Sequence, residues 1–282
     1  MYRKIEAKKK IFNPILRTYF LELRLRWRKV LFSSFSTVVF VLLFSSFYPY
    51  HFNKGEFYRD EITYFKFFIL FVSCFFFSDI VCSEFTLKTG YIMFPKINRY
   101  KLIVGKYIAN LSIIIFLLIL HYLTLNISVM IIYESVILEW VISLGIAIMY
   151  AITLSAFILL FSTIIPKVNL TIILIILIYF IGFTILEQVF TAVNQELEPI
   201  FSLNYIGNLI NHVVPGGLPN YQLYRGQLPW GQRWNWVYYA GDTLPPVKLW
   251  LTPTIEVAIL IMSFYIALFF LLTFLVLKRK EF

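Results

Sequence analysis

The chain has 282 residues, of which 60% are hydrophobic and only 14% charged, with a net charge of +10 and a mean hydropathy of +0.79. Soluble domains carry roughly 25% charged residues, so a water-facing surface is excluded as the main surroundings of this chain, and a bilayer, which solvates apolar outer faces, is expected instead. The basic residues cluster at the N-terminus, in one internal stretch and at the C-terminus, each beside an apolar run; this excludes nucleic acid as the expected partner and points to membrane lipid headgroups.

Residues 1–29 are expected on the cytoplasmic side. Within them Leu16, Phe20, Leu23 and Trp27 recur at helical spacing with Arg17, Arg24 and Arg28 on a neighbouring face, which predicts an amphipathic helix lying in the membrane interface. The first apolar run, from Val30 to Phe47, ends in Tyr48, Pro49 and Tyr50 without a small-residue cleavage site, so it is expected to remain as a span. Six segments are apolar over roughly the 20 residues a spanning helix requires: 30–49, 65–83, 103–132, 137–165, 168–189 and 254–277. The expected fold is therefore an all-α polytopic membrane protein with six transmembrane helices.

Lys and Arg set orientation, because they concentrate in cytoplasmic loops. With the N-terminus inside, nineteen fall on the inner side and six, among them Lys54, Arg59 and Lys66, on the outer side. Both termini are thus expected in the cytoplasm. Pro166, Lys167 and Val168 read as a tight inner turn between spans four and five, since proline moves its preceding residue out of the helical region. The largest loop is the outer segment 190–253. Its stretch from Phe201 to Val214 is apolar enough for a short helix on, or dipping into, the outer face. The Gly- and Pro-rich remainder, carrying Trp230, Trp234, Trp236 and Trp250, suits turns and the headgroup layer.

Catalytic signatures are missing from the sequence. His51, His121 and His212 are far apart and lack HExxH spacing, there is no GxSxG elbow, and no Asp-rich pair suits Mg²⁺. Cys74 and Cys82 share one apolar segment and read as packing residues, not as a metal site or disulfide framework. A phosphate-binding loop is absent too: Gly105 and Lys106 are followed by Tyr107, and Tyr100 stands where the first glycine would be. No catalytic, metal or cofactor site is expected here, and any ATP-driven work requires ATP and Mg in a separate polypeptide.

The inner segment between spans two and three is the most informative stretch. It carries Glu84, Thr89, Gly90, Pro95, Arg99, Gly105 and Lys106, and Pro95 breaks any helix through it. The pattern of a glutamate, a Thr-Gly pair, a proline, an arginine and a Gly-Lys opening the third span resembles the first cytoplasmic loop of type-2 ABC transporter permeases. The six-span layout, the interfacial N-terminal helix, the tight loop between spans four and five and an outer helical segment between five and six resemble that family as well. The resemblance implies the permease subunit of an exporter in the cell membrane. A second permease chain, identical or different, would complete the dimer, and two ABC ATPase subunits would dock on the inner loop. Glu84, Thr89, Gly90, Pro95, Arg99 and Lys106 would form that coupling element.

Ser143, Ala147, Ala151 and Ser155 lie four apart in span four. Small residues at this spacing let helices approach closely, either within the subunit or across a dimer. Of the ionisable residues, Asp79, Glu139, Glu187 and Glu256 fall near expected span ends. His121 is the one that reads as deep, as a satisfied core histidine. This pattern offers no proton relay. A self-sufficient secondary transporter or channel, or a lipid-acting membrane enzyme, are the alternatives.

Overall fold

The computed structural model describes residues 14–47, 54–86, 99–135, 138–193, 198–214, 217, 219–224 and 247–279. Helices α1 (Pro14–Phe47), α2 (Lys54–Phe77), α3 (Asp79–Thr86), α4 (Arg99–Tyr133) and α5 (Trp140–Ile164) lead to α6 (Val168–Leu177). A π-helical turn, Ile178–Gly182, joins α6 to α7 (Phe183–Val193). Two short helices follow, α8 (Leu203–Gly207) and α9 (Leu209–His212), then strands β1 (Tyr221–Tyr224) and β2 (Val247–Trp250), and finally α10 (Ile255–Arg279).

Six helical stretches are long and apolar enough to cross a bilayer: Pro14–Ser46, Gly55–Cys82, Tyr100–Tyr133, Trp140–Ile164, Val168–Phe190 and Ile255–Arg279. This is a polytopic, mainly helical membrane protein. Six crossings return the chain to the side on which it started, so Pro14 and Arg279 lie at one end of the bundle, the terminal end, and the connections around residues 134, 198–214 and 247–252 lie at the distal end. Strands β1 and β2 pair antiparallel with Tyr221 opposite Trp250, a small addition to the all-α expectation at the distal end.

Residues 14–29 form one rod with the first span. Helix α1 runs 34 residues without interruption, about 51 Å at 1.5 Å per residue, against a hydrocarbon core of about 30 Å. The expected boundary at residue 29 is therefore not a break and, among the described residues, 14–29 form no helix separate from the first span. Tertiary packing explains the continuity. Gly105 of α4 brings the two backbones so close that a Cβ there would stand 2.8 Å from the Thr18 Cβ and 2.9 Å from the Ile15 carbonyl oxygen, which fixes the first turns of α1 along α4. Arg17, Phe20, Arg24, Trp27 and Arg28 are exposed on this rod, and the Arg28 guanidinium lies over the Trp27 ring.

The second span begins well before residue 65. Helix α2 starts at Lys54, so Arg59, Glu61 and Lys66 belong to a helix and not to an outer loop. Lys66 stands near the middle of the span, with 5% of its surface exposed. The regular helix is interrupted at Ser78, between α2 and α3. Span four ends where expected: Ile165 is extended, and its N–H still reaches the Phe161 carbonyl.

Ser143, Ala147, Ala151 and Ser155 are all fully buried inside the chain. Ser143 shares a hydrogen bond with the Tyr122 hydroxyl at 2.7 Å, and Ser155 does so with Tyr107 at 2.7 Å. The small-residue face of α5 therefore packs against its own bundle.

Enlarging Gly105 tests the α1–α4 contact. Gly105→Val is expected to destabilise the protein by about 1–3 kcal/mol, the cost of overpacking, read as a lower thermal midpoint in detergent. Gly145→Ala, with nothing within 4 Å of the added Cβ, should leave the midpoint unchanged.

Candidate functional site

The bundle encloses three polar clusters. The first lies toward the terminal end, at the interruption in the second span. Arg26 of α1 donates to Glu22 at 2.6 Å, to Asp79 at 2.7 Å and to the Phe76 carbonyl oxygen at 3.2 Å. Phe76 is in the last turn of α2, where carbonyls lack intrahelical partners, and Asp79 is in the first turn of α3, where a carboxylate is favoured by the helix dipole. One guanidinium thus binds both sides of the interruption. Lys29 adds a 3.6 Å ion pair to Asp79. From the opposite side Ser162 of α5 donates to the Ser78 carbonyl oxygen at 2.9 Å. The Cys82 thiol donates to the carbonyl oxygens of Ser162 and Ile165 at 3.3 and 2.9 Å. Helix α3 is gripped between the first span and the turn joining spans four and five.

The second cluster is a pair. Glu61 of α2 and His121 of α4 are both fully buried, with the imidazole Nε2 3.0 and 3.1 Å from the two carboxylate oxygens. The Phe65 ring stacks on the imidazole at 3.3 Å between centroids, and Phe40 and Phe68 lie within 6.5 Å. Among the described residues Nδ1 of His121 has no hydrogen-bond partner. An unpaired charge in such surroundings is costly.

The third cluster surrounds Lys66. Its Nζ donates to the side-chain oxygens of Asn204 at 2.9 Å and Asn208 at 2.6 Å. The amide nitrogen of Asn208 donates to the Leu251 carbonyl oxygen at 2.9 Å, and that of Asn204 lies 3.5 Å from a Glu187 carboxylate oxygen. Glu187 also accepts from Ser202, which caps α8 by accepting from the Tyr205 N–H.

These bonds place α8 and α9 inside the bundle. Gly207 has no room for a Cβ, which would meet the Tyr150 ring at 2.8 Å and the Lys66 side chain at 2.9 Å. Tyr150 and Tyr179, near the middle of the fourth and fifth spans, join hydroxyls at 2.6 Å beside it, and Tyr265 of α10 donates to the Phe201 carbonyl oxygen at 2.9 Å. Asn211 donates to Thr63, and Ser143 to the Ile210 carbonyl oxygen. The segment 202–212 is re-entrant: it enters from the distal end and returns to it. Tyr205, in this segment and outside the six spans, has its hydroxyl pushed above the usual phenol range by burial and by its hydrogen bond to Glu198.

Of the residues singled out for coupling, Glu84, Arg99 and Lys106 fall at the terminal end. Glu84 lies on α3 and Arg99 opens α4, while Thr89, Gly90 and Pro95 lie outside the described residues. Lys106 is half-buried, one residue beyond the tight Gly105 contact. Of the Trp-rich outer segment, Trp250 is described; its ring meets Tyr221 edge-on at 5.8 Å. Trp230, Trp234 and Trp236 lie outside the described residues. Asp79 and Glu187, expected at water-reachable span ends, instead turn inward to Arg26 and to the re-entrant segment. Lys66 is counted on the outer side in the sequence, and Glu61 lies before the expected start of the second span at residue 65; the helix that begins at Lys54 brings both into the bundle, on the element whose Ile62, Phe65 and Ile69 are buried.

Among the described residues no group of three or more His, Cys, Asp or Glu side chains converges on a metal-sized site. No protein-family model matches this chain, and no curated protein matches it in sequence.

Removing one member of the buried pair should cost far more than removing both. Glu61→Ala is expected to destabilise the protein by about 3–5 kcal/mol, whereas Glu61→Met with His121→Phe should come within about 1–2 kcal/mol of the parent. Thermal unfolding of the two variants in the same detergent decides it.

Proposed function

We propose that this chain is the membrane-spanning permease subunit of an ATP-binding-cassette transporter of the cell membrane, working in export, with both termini in the cytoplasm. Two such chains, identical or different, pair on two separate ATPase subunits that hold ATP and Mg; the chain itself is not an enzyme. The observation that carries this reading is the seating of α3, on which Glu84 opens the motif-bearing stretch. This short helix follows the interruption at Ser78 and is gripped by Arg26 on one side and by Ser162 and Ile165 on the other. A push on α3 would act on the first, second and fourth spans at once. The missing phosphate-binding loop supports the same reading, since a chain without it needs a partner to hydrolyse ATP. So does the re-entrant segment between the fifth and sixth spans, in the place where these permeases carry an outer helical segment. The bias of Lys and Arg along the sequence, nineteen against six, supports cytoplasmic termini.

A second reading, a self-sufficient secondary transporter, is favoured by the buried charges. Glu61, His121, Lys66 and Glu187, a π turn and a re-entrant segment are the features such carriers place along their substrate path.

Co-purification of the tagged chain in mild detergent is expected to bring down an ATPase of about 25–35 kDa, the size of a one-to-two-domain chain. In the reconstituted complex Glu84→Ala and Arg99→Ala should lower transport-coupled ATPase stimulation about tenfold, a loss of about 1.4 kcal/mol, while leaving the thermal midpoint unchanged. Cargo movement by the isolated chain in liposomes without ATP would favour the secondary transporter instead.

A further inference from the structure

Lys66 is held in a way that a simple structural tie does not require. Its ammonium is buried inside the bundle and makes both of its described side-chain hydrogen bonds to carboxamide oxygens, those of Asn204 and Asn208. Each carboxamide is received at its other end as well, Asn208 by the Leu251 carbonyl oxygen and Asn204 by the Glu187 carboxylate. The surroundings thus read an amide as an amide, with a cation for C=O and an anion or carbonyl for N–H. A neutral donor would fasten the re-entrant segment without the desolvation of a charge, and ionisable groups at such depth mark sites of function. Asn204 lies in a helix of five residues and Asn208 at the turn between it and the next, of four, both helices too short to be stable without their tertiary contacts.

We propose that Lys66, with Glu187 and the Leu251 carbonyl, forms an amide-recognition site inside the bundle, filled in this structure by the chain's own Asn204 and Asn208, and that amide-bearing cargo competes with them for it. A peptide bond has the one acceptor and one donor that the site receives. The re-entrant segment is then a self-ligand: it closes the distal end while it occupies the site and yields the site as it withdraws. The recognition chemistry stands independently of how the protein is energised; the statement about cargo rests on the transport reading above.

The side chain of Asn208 beyond its Cα is acetamide in all but one hydrogen. In Asn208→Gly, acetamide is expected to raise the thermal midpoint saturably, by about 2–4 °C. N-methylacetamide should act likewise, and acetone, which lacks the N–H, should not. Should Asn208→Gly fail to fold, Asn204→Ala with formamide poses the same question at the other amide. Adding Lys66→Met to either variant should abolish the shift. An equal shift in the parent protein, an equal effect of acetone, or a shift that survives Lys66→Met overturns the site. In proteoliposomes holding the full transporter, a blocked leucine tripeptide should be carried at least tenfold better than its ester-linked analogue. Equal transport of the two overturns the statement about cargo even where acetamide binds, and the absence of any ATPase partner overturns the permease reading without touching the acetamide result.

Discussion

Inside a bilayer no water is at hand to satisfy a charge, so each ionisable group in a spanning helix has to find its partner on another helix or another segment. In this protein the second span meets that constraint for the whole bundle. Asp79 near its terminal end takes Arg26 of the first span, Glu61 takes His121 of the third, and Lys66 takes Asn204 and Asn208 of the re-entrant segment. Apolar packing among lipid-soluble helices has little power to choose partners, because lipid tails are as apolar as leucine. Charges and hydrogen bonds that would be orphaned in any other arrangement supply the choice.

The same constraint accounts for where the helices are irregular. At the interruption at Ser78, Arg26 and Ser162 take up the carbonyl oxygens of Phe76 and Ser78. The π turn at Ile178–Gly182 stands where Tyr179 meets Tyr150 and where α8 reaches the fifth span. Backbone that departs from the α-helix is tolerated at this depth only when protein encloses it. Here the two departures are enclosed by opposite parts of the bundle: the interruption by the first and fourth spans toward the terminal end, the π turn by the re-entrant segment from the distal end. Helix α3 and the re-entrant segment are both tied to the second span, through Asp79 and Lys66.

Each of these buried groups could leave its partner only by exchanging it for water or another side chain. The Glu61–His121 pair is enclosed by Phe40, Phe65 and Phe68. The partners of Lys66 instead sit on a short helix and at the turn that follows it, joined to the bundle by side-chain hydrogen bonds as well as by apolar contact.

Much of this architecture was legible from the residues alone. Membrane embedding, the number of spans, the turn at Pro166 and Lys167, and the apolar stretch from Phe201 to Val214 are local properties, because the transfer of a helix into lipid sums over some 20 consecutive residues and a turn is set by its own few. What the tertiary structure alone decided is which distant groups meet. Arg26 and Asp79 lie 53 residues apart, Glu61 and His121 60, and Lys66 and Asn208 142. No spacing within a window encodes those pairings. The continuity of α1 past residue 29, the inward turn of Ser143 to Ser155 and the burial of Lys66 follow from them, since the free energy of a charge or a small residue in a membrane helix depends on what the neighbouring helix presents to it.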